Sequence, residues 1–166
     1  MRIVTEQEIA GAHFLPNYDG KCKNLHGHNW LVKVALEGIP LDDGPNQGML
    51  LDFSTIKNTI NEFDHKSLND VLENPTAENI SILLCRKLME VVDDNIARIT
   101  VRVYETSKGY AEICSDDKII MAREEEEEEE AAAVEAVQKA READKDIERE
   151  GEEEEGGDNN DDAESE

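Results

Sequence analysis

The sequence predicts an α+β domain, an antiparallel sheet with two helices on one face, and three patterns carry that prediction. Residues 30–37 and 99–103 alternate between apolar and polar side chains, as strands half-buried against a core do. Two stretches between them repeat apolar residues at helical spacing: Ile56, Ile60 and Phe63, then Ile80, Leu83, Leu84, Leu88 and Val91. Turn chemistry separates the segments, giving the order β-β-α-α-β-β, which suits helices segregated to one face of an antiparallel sheet.

Each element has its own warrant. The first strand is expected over 2–15, interrupted by polar residues and carrying His13 near its end. Residues 17–24 form a polar loop around Gly20. Trp30, Val32, Val34 and Leu36 give the second strand one strongly apolar face. Residues 38–48, with two prolines and Asp42-Asp43-Gly44, read as a connecting loop, and Met49-Leu50-Leu51 as a short strand after it. Ser54 can cap the first helix, and Thr76, following Asn74-Pro75, is the expected N-cap of the second. Ile99, Val101 and Val103 mark the next strand, and Ser107-Lys108-Gly109 turns the chain into a last one over 110–114.

The charge is unevenly distributed. The chain has 166 residues and 41 acidic against 17 basic side chains, but 22 of the acids and only four of the bases fall in 124–166. The rest is an ordinary, mildly acidic domain over 1–123, with an acidic low-complexity tail over 124–166. The first half of that tail, rich in Glu, Ala, Lys and Arg, is expected to be partly helical, with Glu135 and Lys139 an i,i+4 pair. From Gly151 on, too little apolar surface remains to offset ordering, so disorder is expected. Such a balance excludes nucleic-acid binding, which needs clustered Lys and Arg, and gives anionic lipid nothing to attract. The N-terminal residues lack a signal-peptide core, and no apolar run approaches membrane-spanning length. Three cysteines (Cys22, Cys85, Cys114) show no disulfide-framework spacing, which predicts a reduced, cytoplasmic protein.

The chemistry concentrates in Cys22-Lys-Asn-Leu-His26-Gly-His28. Two histidines two apart on a strand face the same way and can grip one metal ion. His13 on the preceding strand could close a three-imidazole site, so three of the four histidines fall within sixteen residues. Three imidazoles leave a tetrahedral zinc ion one open position, the arrangement of a catalytic site. Cys22 as a fourth ligand would instead close the site and make it structural. Asp64-His65 can form a pair in which the carboxylate orients the imidazole, though neighbours of this kind also arise by chance. Glu105 ends the alternating run after Val103, where a carboxylate could accept two parallel hydrogen bonds from a guanidine-like edge. A solvated strand end is the plainer reading of that residue. Thr76 and Glu78 read as capping and first-turn residues.

Taken together, these residues resemble a known family. His13 after Ala12, Cys22-x3-His26-Gly-His28, Asp64-His65-x2-Leu68-Asn69-Asp70, Asn74-Pro75-Thr76-Ala77-Glu78-Asn79 and Val103-Tyr104-Glu105-Thr106 occur in the order seen in the 6-pyruvoyl-tetrahydropterin synthase superfamily. The likeness covers about residues 1–115, and the three-residue gap between Cys22 and His26 is most similar to the 6-carboxy-5,6,7,8-tetrahydropterin synthases of the queuosine pathway. The resemblance implies a tunnelling fold, trimeric barrels that commonly pair into hexamers, and active sites at subunit interfaces. It implies Zn2+ held by His13, His26 and His28, proton transfer by Cys22, Asp64 and His65, and a pterin anchor in Glu105. The implied reaction converts 7,8-dihydroneopterin triphosphate to 6-carboxy-5,6,7,8-tetrahydropterin with loss of acetaldehyde and triphosphate. The acidic tail departs from the family pattern, as does Gly11, where a second alanine is usual. A pyruvoyl-forming synthase on the same scaffold is the nearest alternative. A non-catalytic zinc-binding module or acidic-tail chaperone is another, but it leaves Asp64-His65 and Glu105 without a role.

Overall fold

The computed structural model describes residues 1–117 and 120, within a compact unit spanning Met1–Met121. The expectations for the tail over 124–166 lie outside the described residues. The elements run β1 (Arg2–His13), β2 (His26–Gly38), α1 (Phe53–Asn61), β3 (Lys66–Ser67), α2 (Ala77–Met89), β4 (Ile96–Thr106) and β5 (Gly109–Cys114). One five-stranded sheet has the order β3-β1-β2-β4-β5, antiparallel except where the two-residue β3 runs parallel to β1. The α+β class read from the sequence is therefore the class observed. β3 has no sequence signal, because two residues are too few to show a period.

Register explains where the core and the site lie. Ile9 pairs with Trp30, Gly11 with His28 and His13 with His26, while Val32, Val34 and Leu36 pair with Val103, Val101 and Ile99. Directly paired residues share a sheet face. The stripe Leu36, Val34, Val32, Trp30 is fully buried, and continuing it by twos reaches His28 and His26. The helices cover this face, α1 packing on β1 and α2 on β4 and β5. Ile56, Ile60, Ile80, Leu84 and Leu88 fill the layer between, each contributing roughly 1.5–3 kcal/mol on burial.

Three local expectations need correction. Residues 49–51 form no strand; Leu41 and Met49 share a backbone hydrogen bond, and the Asn95 side chain donates to the Leu50 carbonyl (2.9 Å). Leu50 is buried as a plug of the core, which is why the segment is apolar. The cap of α1 is Asp52, whose carboxylate accepts from the Ser54 N–H (2.7 Å), so Ser54 lies inside the first turn. Val91 lies beyond the end of α2 and is exposed. Thr76 caps α2 as expected, accepting from Asn79 N–H (3.3 Å), with Glu78 in the first turn and Arg86 and Lys87 in the last, matching the helix dipole.

Gly38, at the end of β2, is demanded by close approach. A Cβ there would stand 2.1 Å from the Asn95 carbonyl oxygen, at the point where the β2–β4 register shifts.

Candidate metal and pterin site

His13, His26, His28 and Glu105 each direct one donor atom to a common point, all four atoms lying within 4.8 Å of one another. The three histidines come from paired positions on β1 and β2, so the alternation that buries the valines also aims the imidazoles. Glu105 arrives from β4 by the same rule, two residues beyond buried Val103.

Hydrogen bonds set the tautomers. The His13 Nδ1–H donates to the Pro75 carbonyl (2.7 Å) and the His26 Nδ1–H to the Asn24 carbonyl (2.7 Å), because a carbonyl can only accept. Both rings then present unprotonated Nε2 atoms, which face each other at 3.0 Å. Two lone pairs at that distance need a cation between them. Burial, the largest cause, lowers the His13 pKa below its ordinary value; the Pro75 contact opposes this and neighbouring His26 adds to it, so a proton is a poor candidate. His28 Nε2 is buried with no hydrogen-bond partner. Such an atom needs a partner, and a metal ion held by neutral imidazoles supplies one. The donor set therefore fits a divalent metal.

Trp30 supports the cluster from below. Its ring lies edge-to-face against His13 (centroids 4.9 Å) and His28 (5.2 Å), while its indole N–H donates to the Gly11 carbonyl (3.2 Å). A Cβ on Gly11 would lie 3.3 Å from both Trp30 Nε1 and Leu68. The glycine thus gives the indole room beside the imidazoles.

The other expected site residues are not among the four clustered donors, although His65 and His28 line one cavity. Cys22 lies half-exposed in the turn Lys21–Lys23, its carbonyl accepting from Leu15 N–H (2.9 Å). Asp64 and His65 do pair, Oδ1 to Nδ1 at 2.9 Å, beside Ala10 near the end of β1. The Asp64 carboxylate also accepts from Ala10 N–H (2.8 Å), which more than the imidazole holds its pKa below the ordinary value. His65 adopts φ 56°, in the left-handed region, with its N–H bonded to the Ala10 carbonyl (2.7 Å) and its side chain 81% exposed. Asn69, part of the same motif, is structural, since its amide both donates to and accepts from the Phe14 backbone at 2.9 Å.

A cavity of about 290 Å³ opens beside the cluster, lined by Glu105, Thr106, Tyr110, Thr76, Glu78 and Leu15 among others. Thr76 and Glu78 therefore border it as well as starting α2. The sequence reading missed Glu105 at the metal cluster, although Val101-x-Val103-x-Glu105 was the available signal. The Pro75 and Asn24 carbonyls had none, since every residue has one.

An antiparallel sheet carrying a buried imidazole–carboxylate cluster beside a small open cavity defines a candidate metal-dependent enzyme of the α+β class. The family model described as 6-pyruvoyl tetrahydropterin synthase matches residues 2–116, and the chain belongs to that family. It is 38% identical over 96 residues to a Synechocystis sp. protein named 6-carboxy-5,6,7,8-tetrahydropterin synthase, covering 53% of this chain and 74% of that one. A Haemophilus influenzae protein of the same name is 27% identical over 138 residues, covering 67% and 96%. Among solved structures, 6-pyruvoyl tetrahydropterin synthase of Caenorhabditis elegans superposes with TM-score 0.53 at 26% identity, covering 68% of this chain and 94% of that one. The protein is thus a pterin-processing enzyme of this family, and among the described residues no helix is long and apolar enough to cross a membrane.

Proposed function

We propose that this enzyme converts 7,8-dihydroneopterin triphosphate and water to 6-carboxy-5,6,7,8-tetrahydropterin, acetaldehyde and triphosphate, a carbon–carbon lyase step of cytoplasmic queuosine biosynthesis. The observation that carries this choice is the set of relatives named for the carboxypterin product, 38% and 27% identical for the two described. The Cys22-x3-His26 gap supports the same choice.

His13, His26 and His28 would hold zinc, which when bound polarises a substrate oxygen and acidifies the neighbouring protons. Cys22 is the base that takes a proton from the substrate side chain. Asp64 fixes the His65 Nδ1–H, leaving Nε2 outward to give or take a proton on the pterin. Glu105 accepts two parallel hydrogen bonds from the guanidine-like edge of the ring.

Within one chain the Cys22 turn and the Asp64-His65 pair attach at different points of the β1 segment. The Cys22 turn is tied to Leu15 and the His65 backbone to Ala10, a separation of roughly 15 Å along the strand direction. That spacing favours a trimer-based homo-oligomer in which Asp64-His65 of one subunit serves the cluster of the next.

Incubation of the zinc-loaded protein with dihydroneopterin triphosphate should release acetaldehyde and the carboxypterin in equal amounts. A pyruvoylpterin without acetaldehyde would assign the second reading, which the name of the matching family model favours. No conversion by folded, metal-loaded protein would sink both.

A further inference from the structure

The carboxylate of Glu105 faces two places at once. Its Oε1 lies 3.4 Å from His13 Nε2 and 3.5 Å from His28 Nε2, and the same residue lines the cavity beside the cluster. In a tetrahedral zinc site with bonds of about 2.0–2.1 Å, neighbouring donor atoms stand roughly 3.3 Å apart. The two Glu105 separations and the 3.0 Å between His13 and His26 are all close to that edge length. Glu105 thus stands at tetrahedral edge distance from two of the three imidazoles, with all four donor atoms within 4.8 Å of one another.

The backbone gives it this reach. The β4–β5 register shifts between Tyr104 and Thr106, so Glu105 sits at an irregularity in the ladder without a paired residue on β5. Bulges of this kind re-aim a side chain, and they cluster next to active sites. The side chain is 38% exposed, which leaves it free to rotate from the cluster into the cavity.

We propose that Glu105 is an exchangeable fourth ligand: it closes the metal site in the absence of pterin and leaves it to bind the pterin's guanidine edge, so that substrate binding opens the coordination position. This rests on the proposed function, in which the three imidazoles hold a metal and the cavity takes a pterin. The exchange has a chemical consequence. With the carboxylate bound, the site carries one positive charge; once it leaves, the site carries two, and its pull on a substrate oxygen is stronger. The enzyme would then polarise substrate fully only when a pterin is seated.

The test uses the full chain loaded with Co2+ in place of zinc, and pterin itself, which has the guanidine edge but no side-chain hydroxyl to ligate metal. Glu105→Gln should change the visible Co2+ spectrum and weaken metal binding about tenfold or more. Adding pterin to the wild-type protein should move its spectrum toward that of the variant. Because the two partners compete for one carboxylate, metal-free protein should bind pterin several-fold more tightly than loaded protein, and pterin should weaken metal binding by the same factor. An unchanged spectrum in Glu105→Gln overturns the proposal while leaving the three-histidine site intact. So does pterin that binds the loaded wild type without altering its spectrum. Co2+ retained after loss of both His26 and His28, or no pterin binding in either form, overturns the underlying reading and the proposal with it.

Discussion

Asp64 binds the Ala10 N–H and the His65 imidazole at once, and that double contact holds His65 in a backbone conformation worth roughly 1–2 kcal/mol of strain. Because the Asp64 pKa is lowered from 3.8, its stabilisation is fully present above about pH 4 and is lost as pH falls through the lower folded value. Asp64→Asn should therefore destabilise the protein at pH 6 and much less near pH 2, read from denaturant midpoints at the two pH values. At the cluster, removing any one imidazole should lower both zinc content and turnover sharply, and metal analysis beside a rate assay checks it. Full zinc occupancy after loss of both His26 and His28 would end the assignment. Cys22→Ala should keep its zinc and lose most turnover; metal leaving with the thiol would make Cys22 a ligand. Residue roles were only partly legible in the sequence. His13, His26 and His28 announce themselves through spacing, but the place of Glu105 depends on which strand lies beside β2 and on a bulge, and neither leaves a mark in composition.

At the scale of elements, α2 does two jobs from one end. Thr76 caps it, and the preceding Pro75 carbonyl fixes the His13 ring. Thr76→Ala should cost about 1 kcal/mol of stability by chemical denaturation and also weaken metal binding by loosening that ring. Gly38→Ala should cost more, roughly 1–3 kcal/mol, because its Cβ would meet backbone rather than a movable side chain. The long elements were readable because each buries one face: alternation over β2 and β4, helical spacing over α2. Residues 49–51 misled because Leu50 is apolar for burial in the core, and among the described residues the segment belongs to no strand. β3 and the Asn69 clamp on Phe14 arise from tertiary contact, to which local pattern is blind.

For the whole molecule, charge is the unusual quantity, with 22 acids and four bases over 124–166. Every residue proposed for the site precedes Tyr110, and the tail lacks the large apolar groups that firm docking needs. A chain ending at Arg123 should fold, bind zinc and reach nearly the full maximal rate. Its subunits should also associate more tightly at low salt, where repulsion among tails is least screened. Turnover at saturating substrate is the decisive comparison, since a tail that repels a triphosphate could change apparent affinity alone. A large loss of maximal rate in the folded, zinc-loaded truncation would place the tail in the active assembly. Light scattering on both forms would give the oligomer size. Subunit number was implied only by the family resemblance, because complementarity between subunits is a property of the folded surface.

Trp30 is the sole tryptophan of the chain and lies about 5 Å from two of the imidazoles. The protein therefore carries a built-in optical gauge of its candidate metal site. Selective excitation of the indole should report on one ring in one buried environment. Paramagnetic Co2+ or Cu2+ should quench that emission strongly, whereas diamagnetic Zn2+ should mainly shift it. Loading, release and competition could then be followed in real time without any label.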